Sequence, residues 1–128
     1  MLKLLLDEHV SPDVAKGFSR RQKKISIKCL AEWEGGQFLG APNPLILEAA
    51  ADQDLTLVTY DRRTIPPLLK QWMETGRDHG GVIFVDEKTI APSDRGGLVR
   101  ALQEFASQNS DADMTNAVFF LRYRGEKA

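Results

Sequence analysis

Three acids carry the clearest chemical signal in the chain. Asp7 and Glu8 directly follow the apolar run Leu2-Lys3-Leu4-Leu5-Leu6, and Asp61 follows Leu55-Thr56-Leu57-Val58-Thr59-Tyr60. Carboxylates assisted by water suit hard divalent cations such as Mg²⁺ or Mn²⁺, which act on phosphoryl groups. Such an ion lowers the pKa of a bound water and neutralises charge developing on a phosphate. Arg62 and Arg63 stand beside Asp61, where guanidinium forks grip phosphate oxygens. The run Arg20-Arg21-Gln22-Lys23-Lys24 is the densest basic stretch and can extend a phosphate track. Glu48, on a predicted helix, is a further acid that can turn toward the same edge.

Each signal has a plainer alternative. Asp7 can cap the helix that follows it, and acids after strands are common in α/β proteins. Glu48 fits a solvated helix face, and Arg20 to Lys24 fit a solvated helix end. His9 fits a surface or supporting role as well as a metal or proton-transfer role. His79 sits in a glycine-flanked loop with little signal. Trp33 and Trp72 read as core residues, and Cys29 as a buried strand residue. There is no Gly-x-Gly-x-x-Gly, no Gly-Lys-Ser/Thr phosphate loop and no Gly-x-Ser-x-Gly elbow.

The acids can converge only if the elements before them are neighbours. Leu2 to Leu6 and Leu55 to Thr59 read as buried strands. Val82-Ile83-Phe84-Val85 and Ala117 to Leu121 read likewise, and Ile25 to Cys29 alternates as a half-exposed strand. Ser11-Pro12-Asp13 predicts a helix start, with Val10, Val14 and Phe18 on its apolar edge and an end near Arg21. Asn43-Pro44 predicts a second start and a helix over Leu45 to Asp54, with Leu45, Ile46, Ala49 and Ala50 inward. Pro66-Pro67 opens a third helix to about Thr75, burying Leu68, Leu69, Trp72 and Met73. Pro92-Ser93-Asp94 starts a fourth, with Leu98, Leu102 and Phe105 inward. Residues 30–43, rich in glycine, read as loop, and residues 122–128 as a polar tail.

The order β-α-β-α-β-α-β-α-β predicts one α/β domain: a three-layer α/β/α sandwich around a mainly parallel sheet of about five strands, with right-handed crossovers. In such sheets ligands bind outside the carboxyl ends of the strands, so Asp7 and Asp61 are expected on one rim.

Composition bounds the function classes. The chain has 128 residues, 42% of them hydrophobic, which suffices for one core. Eighteen acids against seventeen bases leave a net charge of −1, so any nucleic-acid contact must come from a local basic face. One cysteine excludes an internal disulfide and a multi-cysteine zinc site, and points to a reducing cytoplasm. No apolar run approaches the ~18 residues of a membrane span. The start does not read as a secretory signal, because acids follow the short apolar run at once.

Leu4-Leu5-Leu6-Asp7-Glu8-His9 followed by Ser11-Pro12 resembles the opening of small bacterial PIN-like (PilT N-terminus-like) proteins. Ile46-Leu47-Glu48-Ala49-Ala50 with Leu57-Val58-Thr59-Tyr60-Asp61 resembles the helix and threonine-x-aspartate signature of the same family. The resemblance covers roughly residues 1 to 85, and the order and spacing of the two pieces agree with it. It implies a PIN-like fold, an acidic site built on Asp7, Glu8 and Asp61, and Mg²⁺- or Mn²⁺-dependent cleavage of RNA. It also implies a toxin role, with a small antitoxin-like protein as silencing partner and a homodimer as a common assembly. The chain departs from the pattern where Asn43 and Thr64 replace acids and where His9 replaces an asparagine. Glu48 or Asp86 are the acids at hand to substitute. Lower negative charge weakens divalent affinity, so a PIN-like module that binds RNA or a protein partner without cleaving it is the rival function. A phospho-acceptor receiver domain shares the acid placement, but needs a lysine after the fifth strand, where Arg122 stands.

Overall fold

A computed structural model describes residues 1–122 of the chain; the tail expected over 122–128 lies outside them apart from Arg122. Five strands and four helices alternate: β1 (Lys3–Leu6), α1 (Pro12–Arg21), β2 (Ser26–Cys29), α2 (Asn43–Asp52), β3 (Thr56–Thr59), α3 (Ile65–Glu74), β4 (Val82–Val85), α4 (Arg95–Asn109) and β5 (Val118–Leu121). A short 3₁₀ turn, Trp33–Gly36, interrupts the loop between β2 and α2. The strands form one all-parallel sheet in the order β2-β1-β3-β4-β5. This is one of the common doubly wound orders, with its topological switch beside β1.

The alternation of side chains divides the core in two. Leu4, Leu6, Val58, Ile83 and Val85 point to the face covered by α1 and α4, through Val14, Phe18, Leu98 and Leu102. Leu5, Leu57, Val82 and Phe84 point to the opposite face, covered by Ile46, Leu47 and Ala50 of α2 and by Ile65, Leu68 and Trp72 of α3. Burial on both faces is why β4 is wholly apolar and why β1 and β3, Lys3 apart, are buried along their length.

One connection departs from the expected hand. α1 links β1 to β2, moving one way along the sheet, while α4 links β4 to β5, moving the other way. Both nevertheless pack on the same face and against each other. Two parallel crossovers on one face that run in opposite directions must have opposite hands. α2 and α3 run the same way as α4 but lie on the other face, so α4 is the exception among the four. Its approach makes this geometry feasible: the Leu2 amide donates to the Ser110 carbonyl at 2.8 Å, so α4 ends beneath β1. Residues 110–117 then return along the lower sheet edge to β5. As a result Val118 and Phe120 of β5 remain exposed on the α2/α3 face.

Local signals mostly match the elements formed. The Ser11 hydroxyl accepts from the Asp13 amide at 3.2 Å and caps α1. Asp94 caps α4 by accepting from the Gly97 amide at 2.9 Å. Asn43 differs from expectation: it is the first residue of α2, after Pro42, and its side chain makes no cap. The inward faces of α2 and α3 are also shifted. Leu45 and Met73 are 51% and 73% exposed, whereas Leu47 and Ile65 are buried. Helix α2 is apolar nearly all round, so its sequence leaves the inward face poorly marked. Trp33 is buried in the loop and stacks on Phe38 at 4.8 Å, closing the sheet edge beside β2.

Candidate functional site

β1 and β3 are adjacent and in register, Leu6 opposite Val58. Their carboxyl ends therefore release Asp7 and Asp61 on one rim at the switch of the sheet. Asp7 continues the ladder by one bond, its amide donating to the Val58 carbonyl at 3.0 Å. That bond turns its carboxyl inward, and Asp7 is buried, only 5% exposed.

Thr59 joins the two acids. Its hydroxyl donates to Asp7 Oδ2 at 2.7 Å and accepts from the Asp61 amide at 3.0 Å. One hydroxyl thus spans the end of β1 and the turn after β3. Thr59 is fully buried, and as the first residue of the threonine-x-aspartate signature it was legible as a motif but not as a site residue. Asp7 Oδ1 accepts from the Glu8 amide at 2.8 Å.

Asp61 is held by a cage of donors. Its Oδ1 accepts from the amides of Arg63 and Thr64 at 3.0 and 2.9 Å. Its Oδ2 accepts from the Thr64 hydroxyl in a very short contact and from Asn43 Nδ2 at 3.4 Å. Asn43 Nδ2 also donates to Thr64 Oγ1 at 2.8 Å. Partial burial raises the Asp61 pKa, but the bonds from Thr64, Arg63 and Asn43 outweigh it and hold the carboxyl below its ordinary value of 3.8. So Asn43 and Thr64 both belong to this rim and donate hydrogen bonds to Asp61. Glu8 completes it from the exposed side. Its Oε1 accepts from the Gly40 amide at 3.1 Å, which ties the glycine loop to the rim, and its Oε2 lies 3.8 Å from His9 Nε2.

No protein-family model, curated protein or solved structure matches this chain.

The donor set itself limits what can bind. Among the described residues no group of three or more His, Cys, Asp or Glu side chains converges as a metal cage. Asp61 already accepts four bonds, whereas each Asp7 oxygen accepts one and keeps a lone pair. Mg²⁺ retains several waters and takes one or two carboxylates. Asp7, with a lone pair left on each oxygen, is the acid of this rim most open to such an ion; a site made of protein ligands alone does not fit.

The other sequence candidates lie elsewhere or do other work. Glu48 is on the outer face of α2, paired with Arg77 at 3.1 Å, with the Arg77 guanidinium 4.0 Å from the centroid of the Trp72 ring. Asp86 starts the turn after β4, accepting from the Lys88 amide at 3.2 Å and facing Arg122 at 4.0 Å. Arg62 lies over Phe120 at 5.3 Å, directed toward β5. Arg63 is exposed next to Asp61. Arg20 and Arg21 end α1, while Lys23 and Lys24 lie on the loop beyond it. Tyr60, between Thr59 and Asp61, donates its hydroxyl to the Ile90 carbonyl at 3.0 Å. Burial, with Asp94 and Glu87 nearby, pushes that phenol up to about 12. His79, weak in the sequence, is buried; its Nδ1 accepts from the Gly81 amide at 3.0 Å.

Proposed function

We propose that this chain is a PIN-like, Mg²⁺- or Mn²⁺-dependent ribonuclease, acting as the toxin component of a toxin–antitoxin pair. The observation that carries the proposal is the shared hydroxyl of Thr59, which links Asp7 to the main chain of Asp61 at the switch of a parallel sheet. When bound, the ion supplies charge neutralisation at the scissile phosphate and a more acidic water. Asp7 would hold it, and Asp61 and Glu8 would reach it through water. Glu8, the exposed acid of the rim, would take the proton of the attacking water. Arg63, beside Asp61, contacts the phosphate, with Arg62 further along toward β5.

The test is cleavage of a labelled RNA with Mn²⁺ present, by the natural chain and by Asp61→Asn. Loss of cleavage in a folded variant is expected. Equal cleavage by both removes Asp61 from the mechanism.

A second reading, a PIN-like module that binds RNA or a protein partner without cutting, is favoured by the saturation of Asp61. Its four donors already satisfy the negative charge that a metal would otherwise meet. Calorimetric titration with Mn²⁺ separates the two: no binding at millimolar ion supports the module.

A further inference from the structure

A groove of about 320 Å³ runs between α1 and α4 on the outer surface, away from the sheet. Arg20 and Arg21 line it from α1, and Arg95 lines it from the first turn of α4. The floor is made of small groups. Gly17 faces Val99, whose methyl would stand 3.1 Å from a Cβ there, so glycine is what lets the two helices approach. A helix-interior glycine costs about 1 kcal/mol relative to alanine. Here that cost secures the close pairing that brings arginines from distant segments to one groove.

The charges in the groove are barely compensated. One carboxylate lines it, Asp13, 3.6 Å from Arg95. Among the described residues Arg21 bonds only to the neutral Gln103, at 3.4 Å, and Arg20 enters no ion pair. Three guanidinium groups against one carboxylate, on a chain whose net charge is −1, form a local electropositive slot. Planar forks of this kind match phosphate oxygens. The groove begins at Asp13, the second residue of the helix that follows Asp7 and Glu8.

We propose that the α1/α4 groove is a phosphate-binding exosite for a single nucleic-acid strand. It holds the strand by its backbone through Arg20, Arg21 and Arg95. Lys23 and Lys24, beyond the end of α1, are not part of it. The proposal adds a second contact to the ribonuclease reading, but it does not require cleavage.

The test uses the full chain carrying Asp61→Asn, in EDTA, so that binding is read without cutting. Fluorescence anisotropy with a labelled single-stranded RNA, and with DNA of the same sequence, is measured over a series of salt concentrations. In R20Q/R21Q/R95Q, affinity is expected to fall about tenfold or more, and the salt slope by about 2, since each lost phosphate contact on a single strand removes about 0.7. RNA and DNA should lose alike, because backbone contacts carry no base information. The charge-matched control K28Q/K70Q/K88Q, on other faces, should bind nearly as the parent does. R20Q alone, a single exposed change at a helix end, should lower the slope by about 0.7 and keeps the test valid if the triple variant unfolds. Equal losses in the groove variant and the control overturn the proposal. So does binding to phosphatidylserine vesicles with no binding to either strand. Retained binding in a chain that never cleaves RNA would refute the nuclease assignment and leave the exosite standing.

Discussion

Thr59 Oγ1 donates to Asp7 Oδ2 at 2.7 Å, with both residues buried. This bond satisfies a carboxylate that would otherwise face a low-dielectric interior, and the same oxygen receives the Asp61 amide. Thr59→Val keeps the shape and removes the hydroxyl that both groups use. A buried carboxylate oxygen left without a donor costs about 3 kcal/mol. Urea denaturation should show that loss, together with loss of Mn²⁺-dependent cleavage. A shift of only a few tenths would mean that Asp7 is satisfied by other means.

The donor cage predicts a titration. Because hydrogen bonds hold Asp61 below its ordinary value of 3.8, the stability they add is present above that value and disappears as pH falls through the lowered pKa. Thr64→Val removes the hydroxyl bond to the Asp61 carboxyl, so the Asp61 pKa should rise and the acid-side loss of stability should begin at higher pH. Carbon-detected NMR titration of the Asp61 carboxyl measures this directly. An unchanged or lower pKa would contradict the cage.

His79 gives a second pH window. Burial, opposed by Asp78, holds its pKa below the ordinary 6.5. A histidine kept neutral in the folded state contributes stability that is complete above 6.5 and declines as pH drops below it toward the folded pKa. Thermal melts should fall over that range in the natural chain. His79→Ala should melt lower throughout, because the Gly81 amide loses its acceptor, and the histidine-dependent slope should vanish. Parallel pH profiles for the two proteins would exclude His79 as its source.

Glu48→Gln tests the acid that the structure sets apart from the rim. Its pair with Arg77 is exposed on both sides, and such pairs contribute about 0.5 kcal/mol or less. Melting temperature and Mn²⁺ affinity should both stay close to those of the natural chain. A large drop in metal affinity would place Glu48 at the site after all.

Much of this molecule was determined by its sequence alone. The apolar runs ending in Asp7 and in Tyr60-Asp61, and the caps at Ser11 and Asp94, dictate the strand and helix order, because burial on both faces and satisfaction of helix ends are local demands. That order, with the length of the runs, is enough to place both acids at strand ends. The tertiary structure decided three other things. It made Asn43 and Thr64 donors to Asp61, since they meet only when α2 and the turn after β3 close over the same rim. It buried His79, whose surroundings come from the far end of the sheet. It also put α4 on the face of α1, against the usual hand of a parallel crossover. The last two depend on contacts between segments distant along the chain, and no periodicity records which segments will meet.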